Sequence, residues 1–326
     1  MTKVLVTGAS GFIGSRVAAA LRRAGAAPRL GYRTVPDDVP DAVEIRLDDV
    51  ECLLQAAAGM SAVVHCAGYA HAHGLDDAAA RARHVEINRD GAVNMATAAA
   101  QAGVGVFVLL SSVKAAGLER DAPVTDETSP LPPDTAYGAA KRAAEDAVLA
   151  LGREHGMRVV VLRPAMVYGR GGRGNLERMA AAIAAGWFPP LPETGNRRSL
   201  VHVDDLVDAV QRAIALEVAQ GVYIVADPRA HSGRALYDAL RRGLGKPAAR
   251  WRCPAAVLRA AGRLGDVAQR LGGRPFPVNS ALIARLLDSE CYSAARIGEA
   301  LGWQARVALD AGVAEMLGAA EGRGEQ

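Results

Sequence analysis

A tyrosine and a lysine lie one helical turn apart in the stretch AYGAAK. Tyr137 and Lys141 are separated by four positions, which places both side chains on one face of a helix. A phenol with an ordinary pKa of about 10 is a poor acid or base near neutral pH, and a nearby ammonium favours the phenolate. The pair therefore predicts a proton-handling site, against the plain alternative of a solvated helix face.

The lysine is unusual for this chain. Among 38 Lys and Arg residues, lysine occurs only at Lys3, Lys114, Lys141 and Lys246. A compact ammonium can reach a ribose hydroxyl, where a planar guanidinium would be a poor substitute. We therefore interpret Lys141 as a group that both activates the phenol and binds a ribose.

Two hydroxyl side chains follow a buried strand. The apolar run Val106–Leu110 is succeeded directly by Ser111 and Ser112. In an open α/β sheet, ligands bind outside the carboxyl ends of the strands. A serine at this end can hydrogen-bond the same substrate oxygen that Tyr137 protonates or deprotonates.

A glycine-rich turn, TGASGFIG, follows the first strand and opens a helix. Its spacing is G-x-x-G-x-x-G, and its glycines let the backbone approach a pyrophosphate that the helix N-terminus attracts. A plain strand–turn–helix connection is the alternative. We predict dinucleotide binding, with contacts at Gly8, Ser10, Gly11, Phe12, Ile13 and Gly14.

The residues at the end of the second strand indicate whether the cofactor is NAD or NADP. An acidic residue that would bind an adenosine ribose is absent there, and Tyr32 and Arg33 stand in its place. Arg33 can meet a 2′-phosphate, which favours NADP, although a solvated arginine explains the residue equally well. The cofactor is therefore NAD or NADP, with a slight preference for NADP.

Short apolar runs alternate with alanine-rich helical patterns along the chain. Runs of four or five β-branched residues are typical of a parallel sheet that helices cover on both faces. The fold class is therefore α/β, a Rossmann-type doubly wound parallel sheet with a smaller, mostly helical substrate lobe. Residues 1–163 and 199–227 are predicted to form the dinucleotide-binding domain, and residues 164–198 and 228–326 the substrate-binding lobe. Helices are expected to begin near Ile13, Val50, Asn88, Tyr137 and Asp204.

Composition excludes several classes of protein. Half of the 326 residues are hydrophobic, and the net charge is only +3, so disorder and nucleic-acid binding find little support. The four cysteines, Cys52, Cys66, Cys253 and Cys291, form no CxxC pair and are typical of a reducing compartment. No signal peptide or membrane span is apparent. We expect a cytoplasmic protein with no nucleic-acid or membrane partner.

The motifs TGASGFIG, LLSSVKAAG, Y-x-x-x-K and LRPAMVYG together resemble the extended short-chain dehydrogenase/reductase family. The likeness is to its NAD-dependent epimerase/dehydratase members, in the nucleotide-sugar branch of the UDP-glucose 4-epimerase type, and spans roughly residues 3–304. It implies a triad of Ser112, Tyr137 as acid–base and Lys141 as its activator. It also implies a homodimer and a nucleotide-sugar substrate.

The same resemblance implies further contacts. For the cofactor these are Asp48, Cys66, Ala67, Gly68, Asn88, Ser111, Tyr137, Lys141, Arg163 and Pro164. For the substrate they are Ser112, Lys114, Tyr137, Asn175 and Arg198, of which Arg198 is expected to hold a diphosphate. Asp48 departs from the family pattern because its stretch aligns ambiguously.

A metal site is not expected. His71 and His73 resemble a metal pair, but no carboxylate or thiol is placed to complete a site. Dehydration is disfavoured because Ser112 is followed by Val113 and Lys114, without the carboxylates that elimination of water requires in this family. The acidic pair Asp126 and Glu127 lies in a later loop.

Two reactions remain. In a C4 epimerase of a UDP-hexose or UDP-N-acetylhexosamine, Tyr137 takes the 4-hydroxyl proton as a hydride leaves, and the hydride returns to the other face of the sugar. A nucleotide 4-ketosugar reductase of polysaccharide biosynthesis uses the same residues once and consumes NAD(P)H. The epimerase is slightly favoured. A non-catalytic cofactor-sensing protein is a third hypothesis, disfavoured because both Tyr137 and Lys141 are present.

Overall fold

The structure is a computed structural model that describes residues 2–70, 78–118, 124–129, 131–172, 174–272 and 278–318. Nine strands form in this part of the chain. They are β1 Val4–Thr7, β2 Arg29–Tyr32, β3 Ala42–Glu44, β4 Ala62–His65, β5 Val106–Leu110, β6 Arg158–Pro164, β7 Met166–Tyr168, β8 Leu200–His202 and β9 Gly221–Val225.

Seven of the strands form one sheet in the order β3-β2-β1-β4-β5-β6-β9. All of its strand pairs are parallel. The order reverses between β1 and β4, and ligands of doubly wound folds bind at the carboxyl ends of the strands beside such a reversal. The predicted α/β class is confirmed.

The helices of the described chain cover both faces of this sheet and form a separate lobe. They are α1 Phe12–Arg23, α2 Val50–Ala57, α3 Ala78–His84, α4 Gly91–Gln101, α5 Ala136–His155, α6 Asn175–Ala184, α7 Val203–Ala215, α8 Gly233–Gly243, α9 Ala255–Gly272, α10 Ser280–Leu287, α11 Ala295–Leu301 and α12 Leu309–Met316. A π-helical turn, Val85–Asp90, joins α3 to α4, and a 3₁₀ turn, Val113–Ala115, follows β5.

Successive side chains of each strand point to opposite faces of the sheet and pack into two separate hydrophobic cores. Val4 and Val6 of β1 pack with α1 and α7 on one face, whereas Leu5 packs with α2, α4 and α5 on the other. This alternation follows from the two-residue period of a strand. Both faces are apolar because both are covered by helices.

Helix starts agree closely with the sequence, with one exception. Four of the five predicted helices begin within one residue of the expected position. Asn88 was expected to open a helix, but it lies inside the π-helical turn, with α4 beginning three residues later. Such wide turns occur frequently at functional sites.

The substrate lobe has its own core, formed by apolar side chains from α6, α8, α10 and α12. Strand β8 pairs with β7 in a separate two-stranded sheet, whereas β9 pairs with β6 at the edge of the main sheet. Ile297, Leu301 and Trp303 pack into the β1–α1 core, although they were assigned to the lobe. The domain boundaries themselves stay predictions.

In the part of the chain that the structure describes, no helix is long and apolar enough to cross a bilayer.

Gly138 sets how closely α5 approaches the 3₁₀ turn. A Cβ at this position would overlap the carbonyl oxygen of Lys114. We expect Gly138→Ala to lower the free energy of unfolding by about 1–2 kcal/mol in urea denaturation. Overpacking costs about 1–3 kcal/mol and outweighs the gain of about 1 kcal/mol in helix propensity.

Gly272 provides the matched control, because it lies in α9 with no heavy atom near the position of an added Cβ. Gly272→Ala is expected to be neutral or slightly stabilising. Equal effects of the two substitutions would contradict the close approach at Gly138.

Candidate active site

The glycine turn forms a backbone cradle at the carboxyl end of β1. Gly8 has a φ of 66°, and an added Cβ there would lie 2.7 Å from the backbone nitrogen of Ala67. A Cβ on Gly14 would overlap the Gly8 carbonyl oxygen. Gly11 caps α1 without a side-chain hydrogen bond, and the first turn of α1 contains no acidic residue. The free N–H groups of this helix end fit a dinucleotide pyrophosphate.

The segment after β4 lies against this turn. The backbone N–H of Ala67 donates to the Thr7 hydroxyl over 3.3 Å, and Thr7 also bonds His65 Nδ1 over 3.0 Å. Burial, with a smaller contribution from the Lys141 ammonium, lowers the pKa of His65 to about 3. Burial raises the pKa of the Cys66 thiol to about 12. Both side chains are therefore neutral, and this wall of the predicted cofactor site carries no charge.

The Ser112 hydroxyl lies beside the Tyr137 phenol and opposes part of the rise that burial causes in the pKa of this phenol. Ser112 lies between β5 and the 3₁₀ turn, and its hydroxyl accepts from the Lys114 N–H at 3.2 Å. Tyr137 lies in the first turn of α5, which Thr135 caps by accepting from the Gly138 N–H at 3.0 Å. The close packing of α5 on the 3₁₀ turn brings the two hydroxyls together.

Lys141 lies one turn further along α5 and is buried. Its ammonium donates to the Leu110 carbonyl oxygen at 2.9 Å, and it would lie 3.4 Å from a Cβ added to Gly68. Burial lowers the pKa of Lys141 to about 8, with Glu145 and Cys66 opposing the shift. The lysine thus connects the tyrosine to the predicted cofactor loop.

One expectation about Tyr137 is corrected. We expected the neighbouring ammonium to lower the pKa of the phenol. In the structure burial raises the pKa of Tyr137, and the Ser112 hydroxyl opposes this rise only in part. Desolvation of the phenolate dominates because the side chain is half-buried against protein. The tyrosine is therefore a neutral phenol at neutral pH.

Asn88 hydrogen-bonds the segment after β4 and a histidine that contacts Tyr137. Its side-chain oxygen accepts from the Tyr69 N–H at 2.8 Å, and its nitrogen donates to the Tyr69 carbonyl at 2.9 Å. The same nitrogen lies 3.1 Å from His84 Nδ1. The His84 ring contacts the edge of Tyr137, with ring centroids 5.6 Å apart. Sequence reasoning missed His84 because nothing in the local pattern indicates this contact.

Ser111 and Arg163 have a different partner from the predicted cofactor. Arg163 forms a buried ion pair with Glu145 of α5, with nitrogen–oxygen distances of 2.5 to 3.1 Å. The Ser111 hydroxyl also donates to the Glu145 carboxylate. Pro164 ends β6, where it pairs with Val225. Sequence reasoning missed Glu145, whose role is to anchor α5 beneath Lys141.

Arg33 and Asp48 are both exposed near the carboxyl ends of β2 and β3. These strands lie beside β1, so the two residues border the side of the sheet where the glycine turn lies. Neither makes a hydrogen bond or ion pair with another described residue. Their contacts with the cofactor stay predictions.

Two predicted substrate-binding cations converge on one carboxylate. Lys114 contacts Glu290 at 2.5 Å, and Arg198 contacts the other oxygen of Glu290 at 2.9 Å. Tyr292 donates its hydroxyl hydrogen bond to the same carboxylate over 2.9 Å. Burial opposes ionisation, but Lys114 and Arg198 hold the pKa of Glu290 below its ordinary value. Sequence reasoning missed Glu290, which no motif indicates.

A cavity of about 610 Å³ lies beside Arg198 in the substrate lobe. Asn175, at the start of α6, lies at its edge, and most of the wall is apolar. The wall includes Met166, Leu176, Met179, Phe188, Leu236 and Leu286. The structure thus places Asn175 and Arg198 around one cavity, as expected of residues that bind one ligand.

The acidic pair in the later loop has structural partners. Glu127 accepts a hydrogen bond from the Ile224 N–H of β9 at 2.7 Å, and Asp126 accepts from Thr128. His71 and His73 lie outside the described residues. Within the described ranges, no cluster of three or more His, Cys, Asp or Glu side chains has an arrangement that could hold a metal ion.

Known proteins with the same organisation include epimerases and reductases. The chain is 29% identical over 330 residues to a UDP-glucose 4-epimerase of Vibrio cholerae, covering 95% of this chain and 92% of the relative. It is 32% identical over 260 residues to a 2′-dehydrokanamycin reductase of Streptomyces kanamyceticus, covering 75% and 67%. The crystal structure of the Thermus thermophilus UDP-glucose 4-epimerase complexed with NAD superposes with a TM-score of 0.74 at 24% identity, covering 99% and 100% of the two chains.

The family model for the NAD dependent epimerase/dehydratase family matches residues 4–226, which contain the glycine turn, Ser112, Tyr137 and Lys141. The chain therefore belongs to this family and is an NAD(P)-dependent enzyme with oxidoreductase chemistry.

Proposed function

We propose that the enzyme is a nucleotide-sugar 4-epimerase acting on a UDP-linked hexose or N-acetylhexosamine. The observation that carries the proposal is the Tyr137 phenol beside the Ser112 hydroxyl, with the Lys141 ammonium one helical turn away on α5. Similarity to the Vibrio cholerae UDP-glucose 4-epimerase over nearly the whole chain supports the same reaction.

The residues have separate roles in this reaction. A bound nicotinamide supplies a hydride acceptor and donor. The resting phenol first loses its own proton to solvent; the Tyr137 phenolate then removes the 4-hydroxyl proton from the sugar and returns it after the ring has turned over. Ser112 binds the same oxygen and holds it toward the phenol. The Lys141 ammonium stabilises the phenolate before it takes the sugar proton and after it has returned that proton, and so opposes the effect of burial.

The cationic cluster supports a diphosphate on the substrate. Arg198 presents a planar guanidinium that matches phosphate oxygens bidentately, and Lys114 adds a second positive charge. Because Glu290 offsets one of these charges, the cluster suits a dianionic group that binds and leaves on each turnover. Asn175 and the cavity beside Arg198 would hold the nucleotide.

A second candidate is a 4-ketosugar reductase that consumes NAD(P)H. Burial raises the pKa of Tyr137, so the resting phenol is protonated and ready to donate to a 4-oxyanion. The exposed Arg33 beside the cradle supports NADP, whose reduced form serves many reductases. The homodimer implied by the family resemblance stays a prediction under either function.

The two functions are separated by incubating the enzyme with UDP- and dTDP-sugars, with and without added NADPH. We expect interconversion of C4 epimers with no net change at the reduced-nicotinamide absorbance band. Stoichiometric loss of NAD(P)H with a 4-keto sugar would establish the reductase instead. Tyr137→Phe is expected to reduce turnover by a factor of about 10² or more while cofactor binding persists.

Tyr223→Phe is the matched control for this substitution. The Tyr223 hydroxyl donates to the Gln220 carbonyl in the edge strand β9, away from the triad. Its loss should leave turnover near the wild-type value. An active Tyr137→Phe enzyme would contradict both proposed functions.

The pH dependence of catalysis should reflect Lys141. Its pKa of about 8 means that the ammonium is present below this pH and is lost above it. We expect kcat/KM to fall as the pH rises through about 8, because the neutral amine no longer stabilises the phenolate. Lys141→Met should lose most activity together with this alkaline decline.

Lys246→Met is the control, since Lys246 is half-buried in the lobe and the one partner of its ammonium among the described residues is the Ala184 carbonyl. Its pH–rate profile should match that of the wild type. A wild-type profile in Lys141→Met would show that another group governs the alkaline limb.

Substitutions of Arg198 and of its neighbour Arg197 test the proposed diphosphate site. Arg198→Ala should raise KM roughly 10-fold to 100-fold with little change in kcat, because it removes a charged hydrogen bond worth about 1.5–3 kcal/mol. Arg197 is exposed and makes no side-chain ion pair with a described residue. Arg197→Ala should therefore leave KM unchanged, and equal effects of the two substitutions would contradict the assignment.

A further inference from the structure

Helix α9 exposes an apolar stripe along its whole length. Val257, Leu264, Val267 and Leu271 are 54%, 70%, 50% and 85% exposed, and Ala260 completes the row. Their spacing alternates between three and four residues, which aligns them on one side of a helix. Scattered apolar side chains on a surface need no explanation, but a continuous row indicates a contact.

The opposite side of α9 accounts for the packing of this helix. Leu258, Gly262 and Gly265 are its buried residues. A Cβ on Gly262 would lie 3.1 Å from the Ser280 Cα, so the missing side chain lets α9 close on α10. The fold therefore uses only this narrow side, and the apolar stripe contributes nothing to the core.

Arginines flank the stripe. Arg259, Arg263 and Arg270 are all exposed, and neither Arg259 nor Arg263 forms an ion pair within the described chain. Asp266 is the one acidic residue of α9, and its carboxylate accepts from the Ser280 N–H at 3.1 Å, toward α10. Helix α9 therefore exposes apolar side chains and three arginines, with Asp266, which interacts with Arg270, as its one acidic residue.

Two exposed tryptophans lie in the same lobe. Trp187 and Trp251 are 66% and 59% exposed and line one surface cavity, and Trp251 precedes α9 by four residues. The Cys253 N–H donates to the Pro190 carbonyl at 2.9 Å, which holds the two tryptophan segments side by side. Tryptophan is enriched where protein meets the headgroup region of a bilayer.

We propose that the exposed face of α9, together with Trp187 and Trp251, binds the surface of a membrane containing anionic lipids. A basic amphipathic helix of this kind lies in the interface, with its apolar residues among the acyl chains and its arginines at the headgroups. Charge complementarity favours this occupant over a second copy of the chain. Pairing two such helices would bring together two rows of three arginines, with only one aspartate, Asp266, in each helix to offset them.

This membrane contact differs from the sequence-based expectation of no membrane partner. The expectation concerned a spanning segment, for which a long uncharged run is the signal. An interfacial helix is recognised by the separation of apolar and basic residues onto different sides of the helix. That separation indicates a membrane contact only when the structure shows which side of the helix is buried. The exposure of Leu264 and Leu271 is the decisive observation.

The test is co-sedimentation of the full chain with large unilamellar vesicles of phosphatidylglycerol and phosphatidylcholine, compared with phosphatidylcholine alone. We expect binding to the anionic vesicles that weakens as salt is added. Leu264→Glu should weaken binding roughly ten-fold or more, because an apolar contact is replaced by a charge of the wrong sign. The double variant Arg259→Gln and Arg263→Gln should weaken it by a similar factor.

Val218→Glu is the matched control. Val218 is 74% exposed in the connection between α7 and β9, so the substitution adds the same charge at an equally exposed apolar site. Its vesicle binding and melting temperature should equal those of the wild type. The melting temperature of Leu264→Glu should also be unchanged, since the stripe is outside the core.

Three outcomes would overturn the proposal. The wild-type chain does not sediment with anionic vesicles, or Leu264→Glu binds them as well as Val218→Glu does. Alternatively, sedimentation velocity without vesicles detects a dimer that Leu264→Glu dissociates, in which case the face is an interface between copies.

Discussion

The site depends on how α5 docks against the carboxyl end of β5. Gly138 lets the first turn of α5 touch the Lys114 carbonyl, and the Lys141 ammonium donates to the Leu110 carbonyl at 2.9 Å. These contacts bring the Tyr137 phenol to Ser112. Without this close approach, the tyrosine and serine would belong to separate elements with no common ligand. The geometry of proton transfer is thus a consequence of backbone packing.

A buried network of charged and polar side chains also stabilises the position of α5. The buried Glu145 carboxylate accepts hydrogen bonds from the Arg163 guanidinium and the Ser111 hydroxyl. Burying two charges is costly, and a buried ion pair contributes to a defined geometry more reliably than to stability. Here the pair joins β6 to α5 one turn beyond Lys141, so it constrains the rotation of the helix that carries the reactive groups. Ser111 and Arg163 thus support the helix that carries Tyr137 and Lys141, and their contacts with the cofactor stay predictions.

Glu290 performs a comparable role between the sheet and the substrate lobe. It contacts Lys114, which follows β5, and Arg198, which precedes β8. Two cations and one carboxylate leave a single net positive charge in a partly buried setting, where charge interactions are stronger than in water. The lobe is therefore tied to the sheet by the same side chains that are proposed to bind the diphosphate. Substrate affinity and lobe position are coupled through one carboxylate.

The sequence by itself determined the parallel sheet, most helix starts, the glycine turn and the Tyr137–Lys141 pair. These features are local, because strand and helix periods and a four-residue spacing are set by nearby backbone geometry. Only the tertiary structure decided that Asn88 lies in a π-helical turn, that β8 leaves the main sheet, and that burial raises the pKa of Tyr137. The same holds for His84, Glu145 and Glu290, whose partners lie far away in the chain. Burial and long-range pairing depend on which surfaces meet, and no short stretch of sequence contains that information.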